Sequence, residues 1–384
     1  MKKLFYLGII GIILFEVLNV YFIMPMPGSQ RMNSIDFAYF LYSYRWVFRV
    51  VFIVMILAGV RDVFQGRSKW IAIAMFVMAL GVAYMFNFRM TADHMFLQPQ
   101  KLTFKSKGEN ALNDSSIVVS VENNGVVKAY PTRFIGYHHQ VQDTVGGKPV
   151  IITYCTVCRT GRAFEPVVKG QHEKFRLVGM DHFNAMFEDH TTKSWWRQAT
   201  GEAIVGSLKG EVLPEIESSQ QTVGKLFELH PNALVMQLDE FSKDNYDSLA
   251  RYEKGKSKGG LTRKDSLSWK DKSWVVGVQL GNESKAYDWE MIREARIIND
   301  KIGDTPVVLA LSADQQSFVV FERPSESENF IIRHDTLIAG NVTYDFSGRN
   351  TKTAADQLTK VKAYQEFWHS WKTFHPNTTQ YVEE

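Results

Sequence analysis

Cys155 and Cys158 are the only two cysteines in the chain, and they stand three residues apart. A pair at that spacing supports three kinds of chemistry. The thiols can cycle through a small reversible disulfide, because a thiolate beside positive charge has a lowered pKa and attacks readily. Arg159 and a nearby histidine would supply that charge. The thiols can hold a soft metal such as Cu(I) or Zn, with His or Met completing the set. They can also form an inert structural disulfide, as is common outside the cytoplasm. No second Cys-x-x-Cys exists to complete a four-thiolate zinc site.

Other reactive side chains lie close in sequence. His138 and His139 end a helical stretch before the thiols. Asp181-His182-Phe183-Asn184-Ala185-Met186 runs on to Glu188-Asp189-His190. Strand alternation places Asn184, Met186 and Glu188 on one face. Met186 is a candidate soft ligand for copper, although methionine more commonly fills a core. His182 and His190 read as surface histidines. In Trp195-Trp196-Arg197-Gln198-Ala199-Thr200-Gly201-Glu202, the tryptophans read as structural aromatics beside a tight turn. The chain has no phosphate-binding glycine loop, no G-x-S-x-G elbow, no H-E-x-x-H and no haem-attachment C-x-x-C-H. Cys-His hydrolase chemistry on Cys155 stays open, since its partners need only meet in space.

The elements that must position these residues occur in a repeated order. Shifted by 157 residues, Val118–Phe164 aligns with Val275–Phe321 without a gap, and twelve of 47 positions are identical, among them Lys128-Ala129-Tyr130 with Lys285-Ala286-Tyr287 and Asp143 with Asp300. His230-Pro231-Asn232 recurs as His375-Pro376-Asn377. The expectation is two tandem copies of one module. Each has a strand (117–121), a helix (131–141), a strong strand (149–154), further short strands and a closing helix. In the second copy the corresponding segments are a helix over 289–298, strands over 306–311 and 318–321, and a helix over 363–374. The predicted fold class is α+β, β-rich and mostly antiparallel, preceded by transmembrane helices. Where the first copy has the two thiols, the second has Leu311-Ser312-Ala313-Asp314-Gln315. Opposite His138 and His139 it has Ala295 and Arg296. The thiols and imidazoles are therefore missing from the same copy, which marks them as functional candidates. Arg159–Val168 reads as another strand, which argues against a thioredoxin fold.

The expected organisation is a membrane region over 1–92, a first module with Cys-x-x-Cys over 93–250, a Lys-, Gly- and Ser-rich linker or loop over 251–273, and a second, degenerate module over 274–384. Three transmembrane helices are expected, at about 4–24, 37–60 and 70–88. The middle one is the weakest, because it carries Arg45 and Arg49, which are expected to snorkel to the outer interface. Lys2, Lys3, Arg61, Arg67 and Lys69 share one side if there are three spans. The N-terminus is then cytoplasmic and everything after about Arg89 is outside, in the periplasm of a bacterium. With two spans the large domain would face the cytoplasm. Residues 1–95 hold nine Lys and Arg against four Asp and Glu, and the rest of the chain 35 against 37, so the positive excess sits with the apolar segment. A net charge of +3 in 384 residues argues against a nucleic-acid binder. The partners expected are a lipid bilayer and a periplasmic redox or metal-delivery protein.

Tyr130-Pro131, Tyr137-His138, Gly146-Gly147-Lys148-Pro149-Val150 and Thr153-Tyr154-Cys155-x-x-Cys158 resemble the opening pattern of the domain-of-unknown-function family numbered 3179. Asn184-x-Met186, Asp189, Trp196-x-Gln198-x-Thr200-Gly201-Glu202-Ala203 and Phe374-His375-Pro376 match its remainder, so the likeness covers nearly all of 110–384. Some members carry selenocysteine in the Cys-x-x-Cys motif. The resemblance therefore implies redox thiols ahead of a structural disulfide, and it favours His138 over His139. On that basis Cys155 and Cys158 are the redox pair, with His138 as proton acceptor or thiolate stabiliser. The alternative is a Cu or Zn module built from Cys155, Cys158, Met186 and His138. A third reading is an anchored interaction module with a structural disulfide. Met180-Asp181-His182-Phe183 departs from the family pattern.

Overall fold

The computed structural model describes residues 1–66, 69–353 and 356–383. Arg67, one of the five positive residues grouped above, lies outside them. The chain divides into two compact units. One comprises Met1–Leu97, Lys174–Arg197 and Glu202–Val212, and the larger comprises Gln98–Glu173, Gln198–Gly201 and Leu213–Glu384.

In the smaller unit, α1 (Lys2–Tyr21), α2 (Ile35–Ser43), α3 (Arg45–Phe64) and α4 (Lys69–Tyr84) precede a π-helical turn, Met85–Arg89. Two helices, Lys2–Tyr21 and Lys69–Arg89, are long and apolar enough to cross a membrane. The expected span at 37–60 is not one helix: the chain breaks at Tyr44, and the helix that follows carries Arg45, Arg49, Arg61 and Asp62. α1 and α3 run antiparallel at close range. A Cβ on Gly8 would meet Ile56 and the Phe52 carbonyl at 2.8 Å, and one on Gly59 would meet the Met1 carbonyl at 2.6 Å and Phe5 at 2.8 Å. The absence of side chains there is what permits the approach. Farther along, the Phe15 and Phe48 rings stack at 5.1 Å. Arg49 does not snorkel: its guanidinium binds both Glu16 oxygens at 2.7 and 2.8 Å and Asn87 at 2.6 Å. Arg45 turns back onto the Tyr42 carbonyl and ring.

This unit also holds a four-stranded antiparallel sheet, in the order Ala203–Val205, Trp195–Arg197, Asn184–Asp189, Phe175–Asp181. It joins the helices where α1 ends and α3 begins. The Met180 amide donates to the Ile23 carbonyl at 2.7 Å, and Gly179 is needed there because a Cβ would lie 2.2 Å from that oxygen. Arg176 bridges Tyr42, Asp93 and Glu188.

The larger unit is α+β and mostly antiparallel, as its alternating short apolar runs predict. Its first half contains β1 (Ile117–Asn123), β2 (Val126–Pro131), α5 (Thr132–His138), β3 (Gln140–Val145), β4 (Lys148–Cys155) and β5 (Thr160–Phe164). β6 (Ser218–Thr222), α6 (Val223–Leu229) and β7 (Leu234–Met236) close it. The second half contains β8 (Trp274–Leu280), β9 (Glu283–Asp288), α7 (Trp289–Ala295), β10 (Ile297–Ile302), β11 (Thr305–Leu311) and β12 (Phe318–Glu322). β13 (Ala363–Phe367), α8 (Trp368–Phe374) and β14 (Thr379–Gln380) end the chain. In each half one sheet contains the order closing strand, first strand, second strand, last strand, with the last two parallel, and in the first half Phe104–Lys105 adds an antiparallel edge strand beyond Leu234–Met236. Residues 363–367, expected to be helical, form a strand, because they pair with β8 before the helix starts at Trp368.

Identical residues do identical work in the two halves. Lys128 and Tyr130 converge on Asp143 at 2.8 Å, and Lys285 and Tyr287 converge on Asp300 at 2.8 Å. The residue after α5, His139, and the residue after α7, Arg296, both take left-handed φ, at 61° and 59°. The halves also exchange contacts. The Thr222 amide, at the start of α6, donates to Ser317 in the second half, and the Phe367 amide, at the start of α8, donates to the Cys158 carbonyl.

Candidate functional site

Cys155 ends β4 and pairs with Thr160, the first residue of β5. Thr156–Arg159 form the loop of this hairpin, and Arg159 takes φ 58° to close it. The two cysteines are not joined in a disulfide, and both are 0% exposed. The walls around the turn come from distant parts of the larger unit. The Tyr154 and Tyr252 hydroxyls meet at 3.3 Å. The Arg159 guanidinium reaches the Tyr252 and Glu253 carbonyls and Gln365, and lies 3.6 Å over the Trp274 ring. That fixes Arg159 as a clamp on the turn.

Over the turn itself sit two residues from the second half of the chain. The Lys272 ammonium donates to the Val157 carbonyl, between the cysteines, at 2.8 Å. His369 Nε2 lies 3.1 Å from the same carbonyl and 3.1 Å from the Lys272 nitrogen. Burial pulls the Lys272 pKa below its usual value, and the two thiols, Cys158 more than Cys155, push it back up. Burial, reinforced by the Lys272 charge, lowers the His369 pKa to about 4, so this ring is neutral near pH 7. Burial raises Tyr154 and Tyr252, which keeps both phenols protonated.

β5 leaves the turn through a buried ion pair. Arg162 meets Glu366 of β13 at 2.6 Å, and Gln198 donates to Thr153 and to the Thr160 carbonyl at 3.1 and 3.2 Å. Buried charges of this kind are stable only when paired.

His138 is fully buried at the C-terminus of α5, and its Nε2 meets the Tyr246 hydroxyl at 2.5 Å. The neighbouring His139 carbonyl accepts from the Tyr154 amide at 2.9 Å, which ties the end of α5 to the end of β4. Burial lowers the His139 pKa to about 4. Met186 is fully buried in the smaller unit, in the strand Asn184–Asp189. Cys155, Cys158 and His138 belong to the larger unit. Glu188 and Asp189 accept the indole N–H groups of Trp195 and Trp196 at 3.0 Å, so these aromatics and carboxylates are structural partners. His182 is bound to Asp181 at 2.7 Å and Asn33 at 3.0 Å, and the Asp181 contact raises its pKa. Among the described residues, no group of three or more His, Cys, Asp or Glu side chains could hold a metal ion.

The sequence pointed to the turn but not to its cover. Tyr252, Glu253 and Lys272 lie in the stretch that reads as a solvated linker, yet Tyr252 and Glu253 are buried and Lys272 is half-buried. His369 sits in a helix with no local motif around it. No signal near either residue marks it, because both act across a distance of more than one hundred residues.

An α+β unit with a buried Cys-x-x-Cys hairpin, following apolar helices, defines the class of the molecule. Residues 99–378 match the family described as Protein of unknown function (DUF3179), and the chain belongs to that family. No curated protein and no solved structure matches it.

Proposed function

We propose that this is a membrane-anchored protein whose Cys155 and Cys158 perform thiol–disulfide exchange. The observation that carries this reading is a pair of cysteines, not bridged in this structure, on one tight turn with an ammonium group on the carbonyl between them. A cation so placed favours the thiolate, which is the reacting species. The equivalent turn of the second half, Ser312 to Ser317, holds no thiol and is instead pinned by Asp314, which accepts from the Gln316 and Ser317 amides. The matching element order and the two Asp-centred knots support an internal duplication in which one copy kept the chemistry. Full burial of both sulfurs means that exchange proceeds through a transiently opened form.

The experiment is equilibration of the full chain in detergent with graded thiol–disulfide buffers, followed by trapping and mass measurement. A reversible Cys155–Cys158 disulfide is expected, with a potential between those of strongly oxidising and thioredoxin-like pairs, about −120 to −270 mV. A potential below about −300 mV would mean a structural disulfide. Copurification of about one Cu or Zn per reduced chain, lost in Cys155→Ser, would replace the redox reading by metal binding.

The anchor in this reading has three spans, with the C-terminal bulk outside, in the periplasm of a bacterium. Glu16 neutralises Arg49 at 2.7 Å, which lowers the cost of placing α3 beside α1 in lipid. The outward side chains of α3, including Val47, Val50, Val54 and Leu57, are apolar and exposed. Lys2, Lys3, Arg61 and Lys69 lie at the helix ends opposite to Ile23, Tyr42 and Asp93, where the sheet attaches.

A further inference from the structure

We propose that Lys272, contributed by the segment just before β8, is the charge partner that holds the Cys155/Cys158 thiolate and sets its reactivity. The proposal rests on the thiol-exchange reading and adds the residue that tunes it. The Lys272 ammonium is anchored on the Val157 carbonyl and on the neutral His369 ring, so it is aimed at the turn and not at solvent. Other charged groups are committed elsewhere. Arg159 is spent on two backbone carbonyls, Gln365 and the Trp274 face. The Glu253 carboxyl accepts from the Ile117 amide. Arg162 is paired with Glu366. Asp265 and Asp271, on the same segment as Lys272, act on it more weakly than the thiols do. The phenols of Tyr154 and Tyr252 stay neutral.

In the exchange step one thiol loses its proton to solvent, and its thiolate attacks the disulfide of a dithiol/disulfide partner. One partner sulfur leaves as a thiolate and takes up a proton, and a mixed disulfide forms. The second thiol then deprotonates, attacks the Cys sulfur of that mixed disulfide and expels the partner's other sulfur, which is protonated in turn. Two electrons pass to the partner, which ends as a dithiol. Lys272 forms no bond in this sequence. It stabilises the negative charge on sulfur, and once the disulfide has formed that charge is gone. The half-buried ammonium is then left without that negative charge beside it, so oxidation lowers its proton affinity.

The test is the pH profile of iodoacetamide alkylation on the reduced full chain, for wild type, Lys272→Gln, Lys272→Met and Lys272→Arg. Gln keeps a donor for the Val157 carbonyl but removes the charge, so it remains informative if the Met variant fails to fold. The expected result is an upward shift of at least one pH unit in the profile of the more acidic thiol for Gln and Met, with about tenfold less thiolate at a given pH. Arg should restore most of the wild-type profile. An unchanged profile in a folded Gln variant would overturn the proposal, as would a shift in Arg equal to that in Gln. If the wild-type disulfide proves too stable to exchange while the Gln profile still shifts, the functional reading fails and the charge partnership stands.

Discussion

At the residue scale, the site is built from groups held in unusual states by burial. His139 and His369 both have pKa values near 4, against 6.5 in an unfolded chain. Between those values the unfolded chain takes up protons that the folded chain refuses. The folded pKa lies below the unfolded one, so stability is complete above about pH 6.5 and declines as pH falls toward 4. By pH 5 each histidine costs about 2 kcal/mol. Urea unfolding of the full chain in detergent should therefore show a lower midpoint at pH 5 than at pH 7. His369→Gln should flatten part of that difference. An equal midpoint at both pH values would contradict the burial assigned to these rings. The cysteines, Arg159 and the His138-His139 pair all stand out as candidates by residue type and spacing, and the family resemblance selects His138. The role of Arg159 was not: it reads as a source of charge for the thiols, whereas the structure uses it to fasten the turn to Gln365 and Trp274.

At the element scale, the apolar helices meet at a polar cluster of Glu16, Arg49 and Asn87. Asn87 bonds both Glu16 and Arg49, and the Arg49 guanidinium also lies over the Trp46 and Phe15 rings. Arg49→Leu alone strands the Glu16 charge, and loss of one partner of a buried pair typically costs about 3–5 kcal/mol. The expected outcome is less folded chain in the membrane fraction and a lower melting temperature in detergent. The double variant Glu16→Leu/Arg49→Leu should recover most of the loss, because it removes both charges together. A double variant as unstable as the single one would show that packing, not charge balance, governs the contact. Helix and strand boundaries were legible where periodicity was strong, as in Lys148–Cys155 and Thr305–Leu311. They were misread at Ala363–Phe367, where pairing with Trp274–Val278 draws an ambiguous stretch into a sheet.

At the scale of the whole molecule, the proposed anchor sets which side of a membrane carries the thiol unit. Three spans put it outside. A C-terminal alkaline phosphatase fusion should then be active and a C-terminal green fluorescent protein fusion dark in a bacterial host that exports only by the unfolded route. The reverse pair of results would mean two spans and a cytoplasmic thiol unit. The larger unit depends on both of its halves, since β13 and α8 supply Gln365, Glu366 and His369 to a turn that belongs to the first half.

The sequence alone determined what local order can encode. It marked the Cys-x-x-Cys turn, the α+β pattern of short antiparallel strands, the two most apolar helices and the family resemblance, because each is written in spacing or composition over a few tens of residues. Tertiary structure decided which charge meets which. Lys272 lies 115 residues from Val157, and Glu366 lies 204 residues from Arg162. Such pairs are set by how sheets and helices stack, and burial then fixes their protonation. Spacing along the chain carries no trace of either.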